Sequence, residues 1–356
     1  MDVKSSTVVE FLSENKQYVA PVYQRNYAWV ADKQCMVLWK DLVNLAANPE
    51  SKHFLGSIVI IKLDDSLDRN FVIDGQQRLT TVQLLLMAMR DYVKERNAED
   101  TDSNETVTEW KEAATDFIPF VGGMLLTNSG ENKLELNGKD NEVFSKLVNG
   151  LSEKKLSTQE KATNVFLNYK FFLEQLYAGL DSSESSKGVS CAELQSIIQC
   201  LIDGFEIACI VLENRDKPQR VFESLNSTGL DLQASDLIRN YVLMSSDNNQ
   251  EQQDEIFTQY WHPFEELFPR NDSTHLTNFF LALVAIKQLL SGQKTLRKVG
   301  ELYQTFKHYY QNDKERGALV YAQELWQYGD CYAKIMGWKQ DPSLADEPCS
   351  DSEFSG

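Results

Sequence analysis

The sequence predicts an α+β fold that is mostly helical overall: a mixed α/β lobe with a large helical insertion and a helical C-terminal region. Three observations predict it. Over residues 1–96, short runs of strand character ("YVAPVYQ", "FLGSIVII", "FVI") alternate with the helical pattern "DKQCMVLWKDLVNLAA". Over 97–200 the runs lengthen into "NEVFSKLVNGL" and "NVFLNYKFFLEQLYAGL", which have helical spacing. At 205–213 "FEIACIVLE" returns to strand composition, after which the chain is helical and rich in aromatics.

The returning strand makes the lobe discontinuous, formed by 1–96 and 201–245, with 97–200 inserted between its pieces. Polar stretches at 98–108 and 181–188 read as loops within that insertion. The segment "DKPQRVFESLNSTGLDLQASDLIRNYVLM" reads as helix, turn and helix. Asn226, Ser227, Thr228 and Gly229 form its polar turn, and Ser235 is placed to cap the second helix. Residues 246–340 form the helical C-terminal region, and 341–356, polar and acidic, a flexible tail. No repeat of fixed period is visible.

Composition narrows the function. With 356 residues and 42% hydrophobic content, the chain can bury a sizeable core. Its longest apolar run, "FFLALVAI" at 279–286, is far short of the roughly 20 residues a membrane helix needs. The start, "MDVKSSTVVEFLSENK", lacks the basic and apolar regions of a secretory signal, so a cytoplasmic location is expected. Cys35, Cys191, Cys200, Cys209, Cys331 and Cys349 form no Cys-x-x-Cys pair. The nine-residue recurrence of Cys191, Cys200 and Cys209 fits no zinc-ligand spacing, so no zinc is expected. Net charge is −18, yet residues 1–96 hold 12 Lys and Arg against 12 Asp and Glu, so the acidic excess lies in 97–356. Direct duplex binding by this chain is thereby disfavoured, whereas a small anion in a local pocket is not.

The most informative stretch is "FVIDGQQRLTTVQLLLM" at 71–87. Its apolar run suits a buried strand, and Leu79, Val82, Leu85, Leu86 and Met89 then fall on one helical face. The break at Asp74 and Gly75 sets a helix N-terminus at a glycine. Unpaired N–H groups, the positive end of the helix dipole and close backbone approach make that corner suited to an anion. Arg78 sits in the first turn, where a positive charge opposes the dipole unless something anionic offsets it; a phosphate would do so. Asp74 suits either the cap of the helix or a divalent cation bridging phosphates, and it can also simply pair with Arg78. Gln76 and Gln77 can position water, base or sugar. A second Gln-Arg pair lies in "APVYQRNYAW" at 20–29, where Pro21 fixes the approach and Tyr27 and Trp29 can stack on a ring or pack beneath it.

"YQRNYAW", "FLGSIVI", "IDGQQRLTT" and "FESLNSTGLDLQASDLIRN", in this order, resemble the N-terminal domain of GmrSD-type restriction proteins, a branch of the ParB/sulfiredoxin-like superfamily, over roughly residues 8 to 245. The resemblance implies a ParB-like lobe that binds a nucleoside triphosphate and hydrolyses it with a divalent ion, Mg2+, in systems that restrict foreign or modified DNA. It implies Asp74, Gln77, Arg78 and Arg25 as catalytic residues, with Asp74 on the metal. Gln24, Arg25, Gly75, Gln76, Gln77, Arg78, Thr80, Asn226, Thr228 and Gly229 are implied to hold the nucleotide. Ser227 stands between Asn226 and Thr228 of the family's Asn-Thr-Gly turn. A His-Asn-His nuclease often follows in this family, and none of His53, His262, His275 and His308 sits in such a motif. The nuclease is therefore expected as a separate domain or subunit, and DNA as a ligand of the complete system. A non-catalytic module that senses a nucleotide or a DNA feature and gates a partner nuclease is the alternative.

Overall fold

The computed structural model of the chain describes residues 1–64, 67–99, 105–180, 188–213, 221, 233–244, 250–269, 274–292, 301–311 and 317–339. Two compact units divide it, Met1–Pro218 and Gln219–Gly356. The whole is α+β and mostly helical, as the sequence predicts.

In the first unit a mixed sheet has the order β1-β6-β3-β4-β2-β5. Its strands are β1 (Asp2–Thr7), β2 (Gln17–Val19), β3 (His53–Asp64), β4 (Leu67–Asp74), β5 (Leu134–Glu135) and β6 (Phe205–Leu212). The returning strand β6 is inserted between β1, to which it is antiparallel, and β3, to which it is parallel. Two strands are absent from the sequence reading. β1 is polar and largely exposed, so no apolar alternation announces it. β5 is two residues long and comes from the stretch read as wholly helical; it closes the sheet edge beside β2. Strand β2 stops at Val19, short of the run "YVAPVYQ", because Pro21 follows without a backbone donor.

Helices α1 (Val8–Ser13), α2 (Met36–Ala47), α3 (Gln76–Glu99), α4 (Glu105–Leu125), α5 (Gly138–Val148), α6 (Thr158–Lys161), α7 (Asn164–Ala178) and α8 (Cys191–Gly204) complete this unit, with a π-helical turn at Ala31–Cys35 leading into α2. Helix α3 is the axis of the core. Leu79, Val82, Leu85, Leu86 and Met89 are fully buried, but so are Leu84, Met87, Ala88 and Val93, so protein surrounds the helix instead of lining one face. Each such Leu or Val contributes about 1.5–3 kcal/mol by leaving water. Four cysteines behave as small core residues: Cys35, Cys191, Cys200 and Cys209 are buried free thiols, whereas Cys331 is exposed, and burial pushes the Cys35 thiol up to about 11. Among the described residues no cluster of metal-binding side chains occurs, and no helix is long and apolar enough to cross a membrane.

The second unit contains α9 (Ala234–Met244), α10 (Gln250–Ile256), α11 (His262–Glu265), α12 (Thr274–Leu290), α13 (Leu302–Gln311) and α14 (Gly317–Ile335). Aromatic rings build its core: Trp261, Phe264, Phe279, Phe280 and Phe306 are almost wholly buried. A Cβ at Gly329 of α14 would lie 2.6 Å from the Phe264 ring, so the glycine is what lets that ring in. Ser235 does not cap α9. The Gln233 carbonyl accepts from Leu237 N at 3.3 Å, which puts the cap at Gln233 and Ser235, buried, in the first turn. His262 is exposed beside Glu266, and His275 packs on the Trp338 ring.

Candidate functional site

The corner between β4 and α3 has a glycine on each side. Antiparallel pairing of β3 with β4 sets Val59 opposite Asp74, so Ser57 and Ile58 lie against the turn. Gly75 adopts φ +96°, and a Cβ there would come within 3.1 Å of both Ile58 Cα and the Ser57 carbonyl. Only glycine combines that dihedral with that approach. The Gly75 carbonyl accepts from Leu79 N at 3.0 Å, so Gly75 itself is the N-cap and Asp74 stands one residue before it. On β3, Gly56 has φ +118° at a register shift against β6, and a Cβ there would meet Arg78 Nε at 2.9 Å. The guanidinium of Arg78 therefore rests on bare backbone.

Arg78 Nη1 donates to the Ser57 carbonyl at 2.8 Å and lies 3.5 Å from Asp74 Oδ2. Both side chains retain some exposure, 25% for Arg78 and 22% for Asp74. Among the described residues, Arg78 Nε and Nη2 have no hydrogen-bond acceptor. The first N–H groups of α3 likewise lack an intrahelical acceptor by the geometry of any helix start. The corner thus presents donors and one carboxylate.

Parallel pairing of β2 with β4 carries the chain out of β2 at the same end of the sheet, which brings the first Gln-Arg segment to the corner. Gln24, buried, donates from Nε2 to the Ile73 carbonyl at 2.8 Å. Gln77 replies from the other side: its Oε1 accepts from Ala28 N at 2.8 Å and its Nε2 donates to the Asn26 carbonyl at 3.3 Å. Arg25, half-buried, lies in the loop between these two ties. Gln76 is buried, and among the described residues its Oε1 has no partner. Thr80 is fully buried and donates to the Gln76 carbonyl at 2.9 Å. Tyr27 packs beneath the loop: its hydroxyl lies 2.6 Å from Thr81 Oγ1, and burial drives its ionisation far out of reach. Asn226, Thr228 and Gly229 lie outside the described residues.

The strand–glycine–helix corner and the loop carrying the first Gln-Arg pair thus meet at one end of the sheet, and the family model for the GmrSD restriction endonuclease N-terminal domain matches residues 8–243. The chain belongs to this family. No curated protein matches it. Membership makes the GmrSD-type chain a component of a restriction system, with a nuclease domain or DNA as the associated part of that system.

The GmrSD motifs do not include every residue that shapes the site. Ser57 and Gly56 of β3 cradle Arg78, and Asp140 of α5 and Asn164 and Asn168 of α7 hold the loop. Asp140 Oδ2 accepts from Tyr27 N at 2.7 Å, and burial raises its pKa while that hydrogen bond partly offsets the rise. Only tertiary pairing reveals these residues, because each acts on a group more than twenty positions away.

Proposed function

We propose that this end of the sheet binds a nucleoside triphosphate by its phosphates and, with a divalent ion, hydrolyses it, as the nucleotide-dependent part of a system that restricts foreign or modified DNA. The observation that carries the reading is the convergence of two Gln-Arg segments on one helix N-terminus, with Arg78 propped over Gly56 and, among the described residues, two of its nitrogens without an acceptor. Arg78 and Arg25 supply guanidinium donors to phosphate oxygens, and the first turn of α3 supplies backbone N–H groups. The anion adds negative charge to that of Asp74 beside an arginine that the helix dipole otherwise disfavours. Gly75 and Gly56 keep side chains out of the approach, and Thr80 acts from within by fixing the Gln76 carbonyl.

Asp74 is the carboxylate that would hold Mg2+. One protein carboxylate fits that ion, which keeps several waters and takes its remaining ligands from substrate phosphates. When bound, the ion offsets charge developing on the phosphoryl group. The roles of Asn226, Thr228 and Gly229 as further nucleotide contacts rest on the family resemblance alone. DNA meets the complete system through its nuclease part, since the net charge of −18 opposes a polyanion.

One observation favours the alternative of a non-catalytic sensor that gates the nuclease. Both ends of the Gln77 amide are engaged by Asn26 and Ala28, which ties it to the loop and leaves one hydrogen and one lone pair for a water. A melting panel with ATP, GTP, CTP and UTP in the presence of magnesium tests binding, because a ligand of the native state raises its midpoint. A rise with at least one triphosphate is expected; no rise with any of the four contradicts the reading. Phosphate release from the protein then separates hydrolysis from sensing.

A further inference from the structure

Residues 20–29 contain no strand or helix, so no backbone ladder holds the loop that carries Arg25. Side chains from three other elements hold it instead, one backbone group at a time. The Asn26 carbonyl and the Ala28 N–H go to Gln77 of α3. The Tyr27 N–H goes to Asp140 of α5 at 2.7 Å, the Tyr27 carbonyl to Asn164 Nδ2 of α7 at 3.3 Å, and the Trp29 carbonyl to Asn168 Nδ2 at 2.8 Å. Below them the Tyr27 hydroxyl meets Thr81 and Asn168. Among the described residues, backbone bonds in the loop occur only before Arg25, from Ala20 N to the Glu135 carbonyl and from Gln24 N to the Pro21 carbonyl, where Asn137 Nδ2 also donates to the Pro21 carbonyl at 2.8 Å. The bonds that hold Asn26–Trp29 come from side chains, each within four residues of Arg25.

Among these holding groups Asp140 differs in kind. It is an ionisable side chain only 9% exposed, and burying a carboxylate is unfavourable unless it is well bonded. Two features keep it there. Its position in the first turn of α5 places it at the positive end of that helix, and its short bond to Tyr27 N is charge-assisted. It also works in register with Gln77, since the Tyr27 N–H that it holds lies between the Asn26 carbonyl and the Ala28 N–H that Gln77 grips. A carboxylate and an amide on successive backbone groups close the loop as a buckle closes a strap.

We propose that Asp140 is a positioning residue of the triphosphate site, which through the Tyr27 N–H, and in register with Gln77, sets the conformation of the Gln24–Trp29 loop and hence the place of Arg25. The proposal rests on the nucleotide reading above. It assigns the helices of the 97–200 span a part in ligand binding: α5 and α7 build one wall of the site's loop.

The experiment uses the full chain and the variants Asp140→Ala and Asp140→Asn, each at a temperature where circular dichroism shows it folded. Amide hydrogen exchange at Tyr27 and Ala28 reads the buckle without any nucleotide. Titration with the magnesium triphosphate that stabilises the wild type most reads its consequence. Asp140→Ala is expected to speed exchange at both amides and to weaken triphosphate binding about tenfold, the size expected for misplacing one binding group. Asp140→Asn keeps an oxygen acceptor for Tyr27 N and is expected to restore protection and to bind within about threefold of wild type. Should Asp140→Ala refuse to fold, the asparagine variant still decides, because lost affinity with the two amides still protected overturns the proposal. Faster exchange in Asp140→Ala with wild-type affinity overturns it as well, and so does unchanged exchange. If the wild type binds none of the four triphosphates, the nucleotide reading fails while the exchange result still stands for or against the buckle.

Discussion

The two Gln-Arg pairs of this chain use the same residues in the same order and differ in what surrounds them. In the corner pair, Gln77 and Arg78 stand on a rigid helix whose next turns are buried on every side. In the loop pair, Gln24 and Arg25 stand on irregular backbone. The glutamines resolve the difference by exchange. Gln24 reaches from the loop to the backbone of the corner strand at Ile73, and Gln77 reaches from the corner helix to the backbone of the loop at Asn26 and Ala28. Each glutamine thus fixes the other's segment, and in the proposed reading charge recognition falls to the arginines. The lesson is that residue type within a motif does not reveal role: two amides that could meet a ligand are engaged in mutual positioning.

The largest effect expected from breaking this arrangement is at Arg78. Arg78→Ala removes the guanidinium set over Gly56 and is expected to weaken triphosphate binding about a hundredfold, ~2.7 kcal/mol, with little change in the melting of the free protein because the side chain is partly exposed. Calorimetric titration checks the first part, and unchanged affinity would remove Arg78 from the site. Arg78→Lys is expected to recover only part of the loss, since an ammonium lacks the planar fork.

Next comes Gly75→Ala. The substitution combines a φ of +96° with a Cβ driven against Ile58 and the Ser57 carbonyl, and is expected to cost about 1–3 kcal/mol of stability and to displace the first turn of α3. Denaturant unfolding measures the cost. A variant as stable as wild type would show that the corner relaxes freely and does not hold Arg78 in place.

Gln77→Leu sharpens the comparison between pairs. It leaves the Ala28 N–H and the Asn26 carbonyl without their partner and is expected to weaken triphosphate binding about tenfold by freeing the loop, while hydrolysis of bound nucleotide at saturation changes little. A collapse of turnover at saturating nucleotide with unchanged affinity would instead place Gln77 in the chemistry.

The smallest effect concerns pH. Burial raises the Asp140 pKa above its unfolded value, so the folded protein binds this proton more tightly than the unfolded chain. Stability contributed by this group is therefore present below the unfolded pKa and lost as pH rises through the raised one. Asp140→Asn removes that cost, so its melting temperature relative to wild type is expected to be highest at neutral pH and to decline as pH falls towards 4. A difference independent of pH would show that Asp140 titrates alike in both states.

Legibility followed the range of the physical signal. The β4–α3 corner was visible because apolar spacing switches from strand to helix within a few residues at Gly75, and β6 because its composition is apolar and β-branched. Strands β1 and β5 were not, since an exposed edge strand carries no alternation and a two-residue strand has no period. The loop at 20–29 could be picked out as a motif, but its arrival at the corner depends on the pairing of β2 with β4. Asp140, Asn164 and Asn168 were invisible for the same reason: they recognise backbone groups, whose identity no sequence pattern encodes. Ser235 misled because its type favours a cap, while the first helical bond is accepted by Gln233.

The central claim, that two distant Gln-Arg pairs form one triphosphate site, is tested most directly by calorimetric titration of a magnesium triphosphate into wild type, Arg25→Ala, Arg78→Ala and the doubly substituted protein. The account expects each single variant to lose at least about tenfold in affinity and the double variant to lose clearly less than the two losses combined, because two guanidinium groups on one ligand are coupled. Wild-type affinity in Arg25→Ala, or two losses that simply add, would contradict it.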